Sequence, residues 1–323
     1  MSTRRPFRFA VQSYRAADAR EWKDTVRRVE ELGYSALHVC DHYIGAGPAM
    51  DPTGHRPVTL APVPAMAVAA EVSSVLRIGC RMFCVGYHQP VVLAKEIATL
   101  AVLAEGRIEA GLGAGWLEAE YTAMGVPFDS GAHRVDLLAE VLELLDIWFA
   151  GKDVAVDGGQ VRAAGFAPLP VPKLRPPLMV GGGSPRVLRL AGERADIVSI
   201  NFDNRSGVIG PASIAGSGPE QTHRKLAWVR QGAGERFDDI ELETAAYFVA
   251  IEGAAGTTEA ELSAQTGLDA AGLRAFPHAL VGSVDEICDQ LERRREEYGF
   301  SYITVGDRVL DSFAPVVARL TGR

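Results

Sequence analysis

Apolar runs of strand length alternate with amphipathic helical stretches along most of this chain. Residues 7–12 alternate apolar and polar side chains as a strand does, and Trp22, Val26 and Val29 then repeat at helical spacing. Seven further strands are predicted at residues 36–40, 76–83, 107–112, 178–180, 197–200, 241–249 and 301–305. Strands that alternate with helices are typical of parallel strands joined by crossover helices. Eight such units predict an α/β fold, a TIM (β/α)8 barrel.

Four segments interrupt this regular order. They are rich in glycine, proline and polar residues, or hold short helices, at residues 114–133, 151–176, 201–219 and 251–282. We interpret them as loop insertions of one barrel rather than as a second domain. The sequence therefore predicts a single domain over residues 1–323.

Composition narrows the class of protein. With 47% hydrophobic and 23% charged residues, the 323-residue chain can bury a large core. A formal charge of −8 without a basic stripe disfavours nucleic acid as a partner, and the apolar runs are too short or broken to span a membrane. The charged residues 1–5 do not resemble a signal peptide. The four cysteines form no CxxC pair, which disfavours a metal site or disulfide and fits a reducing cytoplasm.

Three consecutive glycines follow the predicted strand at residues 178–180. Gly181, Gly182 and Gly183 are followed by Ser184, which suits a helix cap, and by Pro185, which suits the first helical position. Unpaired amides at a helix start favour an anion, so this segment predicts a phosphate site. The alternative is that the glycines only make a tight turn, for which one glycine would suffice.

The ends of the predicted strands indicate where the chemistry lies, because barrel active sites form at the carboxyl ends of the strands. His42 follows the second strand and is our candidate acid/base group, since histidine titrates near neutrality. It could instead hydrogen-bond a loop, or join Asp41 in a metal site, but the other histidines show no paired ligand spacing. Residues 111–115 read GLGAG and lack the last glycine of a dinucleotide fingerprint, which disfavours a Rossmann site.

Taken together, these features resemble the bacterial luciferase-like superfamily, and most of all its branch of oxidoreductases that use coenzyme F420, a deazaflavin. The resemblance covers residues 7–201 and 281–305. Besides Asp41, His42 and Arg134, its motifs lie at residues 78–80, 89–96, 106–107, 113–116, 125–128 and 177–201.

The resemblance implies a barrel with a deazaflavin or flavin lying across the strand ends. The cofactor contacts that it implies are Asp41, His42, Cys80, Arg81, Met82, Gly113, Ala114, Gly115 and Trp116, with Gly181, Gly182, Gly183 and Ser184 at the phosphate. A non-proline cis peptide is expected on the third strand, at Cys80–Arg81. Two residues depart from the family pattern: Arg81 replaces a small residue, and Trp116 replaces an acid found in some deazaflavin dehydrogenases. The second departure disfavours sugar-phosphate oxidation.

The resemblance therefore implies an F420-dependent reductase or dehydrogenase of a small organic molecule, with His42 as proton donor. The alternatives are an FMN-dependent monooxygenase using the same phosphate loop and a non-catalytic flavin carrier. Relatives are frequently homodimers through their early helices. The apolar helix at residues 63–72 permits such an interface, although it could simply cover the barrel.

Overall fold

The computed structural model describes residues 5–204, 207 and 210–323. Residues 1–4 of the charged start, and residues 205–206 and 208–209 of the predicted insertion at 201–219, lie outside the described residues. None of the helices within the described ranges combines the length and hydropathy that crossing a membrane would require.

The predicted strands are present in the predicted order, and further strands lie within the predicted insertions. The strands are β1 (Arg8–Gln12), β2 (Ala36–Val39), β3 (Arg77–Cys84), β4 (Ile108–Gly113), β5 (Val154–Asp157), β6 (Arg162–Phe166), β7 (Leu178–Gly182), β8 (Ile197–Ile200), β9 (Glu241–Ala246), β10 (Phe248–Ile251), β11 (Ala279–Gly282) and β12 (Phe300–Gly306). The helices are α1 (Ala19–Glu31), α2 (Pro62–Val72), α3 (Pro90–Leu103), α4 (Glu118–Met124), α5 (Gly131–Phe149), α6 (Pro185–Arg194), α7 (Pro211–Ala215), α8 (Pro219–Ala233), α9 (Glu259–Thr266), α10 (Ala270–Ala275), α11 (Val284–Tyr298) and α12 (Leu310–Leu320).

Eight parallel strands close into a barrel, which confirms the predicted fold. Their order around the barrel is β1, β12, β9, β8, β7, β4, β3 and β2. The first and last strands pair directly, with Ala10 opposite Thr304, so the two ends of the chain meet in one sheet. Helices pack outside the strands, and their apolar faces form the main core with the outward-facing strand residues.

Two of the predicted segments differ from the structure. The single strand expected at residues 241–249 is divided at the partly exposed Tyr247: β9 belongs to the barrel, whereas β10 leaves it to pair in parallel with β11. The predicted loop at residues 151–176 contains an antiparallel hairpin of β5 and β6. These short strands could not be recognised because each takes its partner from an insertion with no strong period-2 pattern.

The barrel interior carries a buried polar cluster toward the amino ends of the strands. Glu109 accepts hydrogen bonds from Arg8 at 2.6 Å and from the Tyr302 hydroxyl at 2.8 Å, and its Oε2 lies 3.0 Å from Nε2 of His38. Although burial opposes it, the charge of Arg8 and the contact with His38 hold the pKa of Glu109 well below its usual range. This end of the barrel is therefore closed by paired charges, and the opposite end is open.

Candidate functional site

A cavity of about 820 Å³ lies at the carboxyl ends of the barrel strands. This volume is in the upper part of the range of small-molecule sites, so it can hold a large cofactor together with a substrate. Twelve of the thirteen predicted site residues line it: Asp41, His42, Arg81, Met82, Gly113, Ala114, Gly115, Trp116, Gly181, Gly182, Gly183 and Ser184. Cys80 does not, because its side chain is buried in the main apolar core.

The glycine triplet has a packing explanation at every position. A Cβ on Gly181 would lie 2.6 Å from Cε of Met82, and one on Gly182 would lie 2.5 Å from Cγ1 of Val187. A Cβ on Gly183 would overlap the backbone carbonyl of Phe202. Our premise that one glycine would suffice here was wrong. Close packing against Val187 and the Phe202 backbone favours glycine at 182 and 183, whereas the flexible Met82 side chain could move away from a Cβ at 181; the triplet therefore does not by itself indicate a phosphate.

The start of α6 nevertheless presents free hydrogen-bond donors to the cavity. Ser184 occupies the N-cap position and Pro185 opens the helix, as predicted, but the Ser184 hydroxyl makes no capping hydrogen bond. Within the described part of the chain, the backbone N–H groups of Ser184, Arg186 and Val187 have no acceptor. Donors of this kind, at the positive end of a helix, can hold an anion.

His42 is held by a carboxylate that the sequence analysis missed. Its Nδ1 lies 2.5 Å from Oε2 of Glu120, which also accepts a hydrogen bond from the hydroxyl of Tyr87 at 3.0 Å. The other oxygen of Glu120 accepts the backbone N–H groups of Tyr43 at 2.6 Å and Ile44 at 3.2 Å. Four donors therefore converge on one fully buried side chain.

Glu120 is ionised despite its burial. Burial favours the neutral acid, but His42 and the amides of Tyr43 and Ile44 together lower the pKa of Glu120. A carboxylate can only accept hydrogen bonds, so Nδ1 of His42 must carry a proton and Nε2 is left to exchange one. The sequence did hold a signal for Glu120: Leu117 and Tyr121, at helical spacing, place it on the buried side of α4.

A second histidine stands beside His42. The ring centroid of His55 lies 4.0 Å from that of His42, and Trp116 lies 5.8 Å from His55 and 6.4 Å from His42. Burial, and secondarily the neighbouring His42, lower the pKa of His55 to about 3. His55 is therefore a neutral ring at neutral pH. It belongs to the long loop after β2, where no local pattern marks a functional residue.

Asp41 organises the strand ends around the cavity. Its Oδ2 accepts the backbone N–H of Cys84 at 2.7 Å and lies 2.8 Å from Nε2 of His88. These contacts tie the end of β2 to the end of β3. The other oxygen of Asp41 is buried and makes no hydrogen bond of normal geometry among the described residues, although the Tyr43 side chain interacts with this carboxylate.

Arg81 fills the middle of the barrel beneath the cavity. Its guanidinium contacts both oxygens of Glu243, at 3.1 and 3.2 Å, and also donates to Ser199, Asn201 and Tyr247. The side chain is only 6% exposed. Although burial opposes the charged form, Glu243 raises the pKa of Arg81. Arg81, which departs from the family pattern, is thus paired with the carboxylate of Glu243 on β9.

The predicted non-proline cis peptide is present on β3, but one residue later than expected. It joins Arg81 to Met82, not Cys80 to Arg81. The pairing of β3 with β4 shifts register between Cys80 and Phe83, so the strand is irregular at this point. The irregular segment brings Met82 beside Gly181 and Gly113, whose Cβ positions would contact the Met82 side chain.

The loop after β4 turns sharply at Gly115. This glycine has a φ of +76°, and a Cβ at its position would overlap the Tyr121 hydroxyl and crowd Sγ of Cys84 at 2.6 Å. Trp116 follows and lines the cavity close to both histidines. Among the described residues, no three His, Cys, Asp or Glu side chains are grouped so that they could hold a metal ion.

Comparisons with known proteins fit this geometry. A sequence model of the luciferase-like monooxygenase family matches residues 2–270. The F420-dependent glucose-6-phosphate dehydrogenase of Beutenbergia cavernae is 31% identical over 169 residues, 52% of this chain and 48% of that enzyme. The enzyme of the same name from Kribbella flavida is 27% identical over 247 residues, 75% of this chain and 67% of that enzyme. This chain thus spans about half to two thirds of the length of these relatives.

A solved structure extends the likeness to the whole fold. The coenzyme F420-dependent tetrahydromethanopterin reductase of Methanopyrus kandleri superposes with a TM-score of 0.75 at 17% identity. The superposition covers 98% of this chain and 99% of the reductase. At this level of identity the comparison shows the fold.

Proposed function

Because this chain belongs to the luciferase-like monooxygenase family, we propose that it is an oxidoreductase that transfers hydride between coenzyme F420 and a small organic substrate. The names of the sequence relatives support the coenzyme. The observation that carries the proposal is that a single cavity is lined by both the donor-rich start of α6 and the proton-carrying pair of His42 and Glu120.

The residues present fit a deazaflavin carrying a phosphate. Ser184 and the free amides of Arg186 and Val187 would hold the phosphate. Met82 and the backbone of residues 113–116 would flank the ring system, with Asp41 beside it; Cys80, which does not line the cavity, is left out of the site. When bound, coenzyme F420 supplies a carrier of two electrons as hydride.

His42 would move the proton that accompanies hydride transfer. Glu120 fixes the ring through Nδ1, which leaves Nε2 to give a proton to the substrate or take one from it. The negative charge of Glu120 stabilises the ring when both nitrogens are protonated. His42 is 15% exposed, so bulk water has limited access to the transfer.

The substrate is expected to differ from the sugar phosphate of the named relatives. Trp116 directly follows Gly115 in the glycine-rich loop after β4, where some deazaflavin dehydrogenases have a catalytic acid, and its side chain lines the cavity. An apolar indole in place of an acid favours a small, uncharged organic molecule over a sugar phosphate.

Titration of the purified protein with each cofactor tests the proposal. We expect coenzyme F420 to bind with a Kd below about 1 μM and FMN to bind far more weakly. Ser184→Ala should weaken F420 binding about tenfold, while Ser312→Ala, at a serine of α12 that does not line the cavity, should leave it unchanged. Tight FMN binding with negligible F420 binding would replace our proposal with an FMN-dependent monooxygenase.

We also propose three properties of the whole chain. Residues 1–323 form a single domain, because β1 and β12 close one barrel. The protein is a homodimer through α2 and α3, because Val68 is 36% exposed on α2 and Val92 is 53% exposed on α3. It works in the cytoplasm, because its four cysteines are free thiols. Light scattering on the purified protein measures the oligomeric state directly.

A further inference from the structure

His55 is placed to act on the same atom as His42. The two rings are 4.0 Å apart between centroids, and both line the cavity. Glu120 occupies Nδ1 of His42, so the exchangeable proton of His42 is on Nε2. A substrate atom that reaches this nitrogen therefore lies in the part of the cavity that His55 also lines.

The hydrogen-bonding capacity of His55 is largely unused. Within the described residues its Nδ1 is buried and makes no hydrogen bond of normal geometry, and of the backbone only the adjacent Arg56 interacts with the ring. The Nε2 atom of His55 is not buried in this way and has no hydrogen-bond partner within the described residues, so a ligand atom in the cavity can bind it. A neutral imidazole carries one donor and one acceptor, so it can bind a carbonyl oxygen or a hydroxyl.

The surrounding charges keep the roles of the two histidines distinct. Glu120 faces His42 at 2.5 Å, whereas no carboxylate forms an ion pair with His55 among the described residues. The cation of Arg56 follows His55 in the chain, and the indole of Trp116 contacts both rings without adding charge. A proton is thus stabilised on His42, and His55 remains a neutral hydrogen-bonding group.

We propose that His55 binds the substrate oxygen to which His42 gives its proton, so that the substrate is a ketone in one direction and the corresponding alcohol in the other. This inference rests on the proposed function. The carbonyl carbon accepts hydride, with two electrons, from the reduced coenzyme. The π bond of the carbonyl opens toward oxygen, which takes the proton from Nε2 of His42. The ketone is reduced by two electrons and the coenzyme is oxidised by two.

Binding measurements test the role of His55 without turnover. The probe is cyclohexanone, added to the F420-loaded protein and followed by tryptophan fluorescence, since Trp116 lies 5.8 Å from His55. We expect His55→Phe to weaken cyclohexanone binding about tenfold and His55→Asn, which keeps a donor and an acceptor, to remain within about threefold of wild type. His223→Phe, on the exposed face of α8, is the matched control and should change nothing. Unchanged affinity in His55→Phe would overturn the inference.

Product analysis tests the substrate class. With 2-cyclohexen-1-one and reduced F420, reduction of the carbonyl gives 2-cyclohexen-1-ol, whereas reduction of the double bond gives cyclohexanone. The alcohol is the expected product; cyclohexanone, or no product at all, would contradict the transfer of hydride to the carbonyl carbon. F420 affinity is measured in every variant. If the wild-type protein does not bind F420, the proposed function is refuted. If it binds F420 but His55→Phe keeps its affinity for cyclohexanone, or the alcohol is not formed, only the inference is refuted.

Discussion

Replacing Glu120 by glutamine removes one charge while keeping the size of the side chain. Glu120 accepts four hydrogen bonds, from His42, Tyr87 and the backbone of Tyr43 and Ile44. A glutamine has only one oxygen, so its NH2 group must face one of the two donor pairs. The two backbone amides cannot reorient, whereas the His42 ring can change its tautomer. The NH2 group therefore faces His42.

This rearrangement makes Nδ1 of His42 an acceptor and places the proton of the neutral ring on Nε2. The ring also loses the negative charge that stabilises it when both nitrogens carry protons. General acid/base catalysis contributes about 10²–10⁴ in rate, so we expect Glu120→Gln to lower kcat by about that factor. The corresponding rise in the activation barrier is about 3–5 kcal/mol. Replacing the hydrogen bonds to a buried charge by hydrogen bonds to a neutral amide should also lower the free energy of unfolding by about 1–3 kcal/mol.

The assay follows the absorbance of oxidised F420 during turnover, with F420 affinity and thermal unfolding measured on the same samples. Glu118→Gln is the matched control, because Glu118 lies on the same helix but is exposed. The control should retain wild-type kcat. If Glu120→Gln binds F420 normally and keeps kcat within about threefold of wild type, the proton path through His42 is refuted.

Three further predictions concern stability. Gly183→Ala should lower the free energy of unfolding by about 1–3 kcal/mol in denaturant titrations, whereas Gly306→Ala, in open space, should not. Arg81→Met should cost about 3–5 kcal/mol by leaving Glu243 unpaired, and adding Glu243→Met should recover part of the loss. Burial lowers the pKa of Lys225 to about 8, so the folded protein releases this proton at a lower pH than the unfolded chain does. As the pH rises from 8 to 10.5, the free energy of unfolding, compared with that of Lys225→Met, should therefore rise by up to about 3 kcal/mol. An equal loss of stability in Gly183→Ala and Gly306→Ala would contradict the first prediction, and no recovery in the Arg81→Met, Glu243→Met double variant would contradict the second. A stability difference between wild type and Lys225→Met that does not change with pH would contradict the third.

The fold could be predicted largely because buried parallel strands and amphipathic helices leave local patterns. β8 was predicted at its observed bounds, and the start of α6 was marked by Ser184 and Pro185. The division of the strand at Tyr247 could not be predicted. It depends on the pairing of β10 with β11, which lies about thirty residues away in the sequence.

The site was predictable only where it uses strand ends. His42 and the residues after β4 and β7 could be placed, because barrel topology brings all strand ends to one face. Glu120 comes from an insertion and His55 from the loop after β2, and only their folding toward His42 makes them part of the site. The partner of Arg81 was similarly hidden, since Glu243 lies 162 residues away.

A crystal structure of the protein with coenzyme F420 tests the central claim most directly. Our account predicts the phosphate within hydrogen-bonding distance of the Ser184 hydroxyl and the amides of Arg186 and Val187, with the deazaflavin ring beside His42. A structure in which the coenzyme binds elsewhere and the start of α6 stays empty would contradict it.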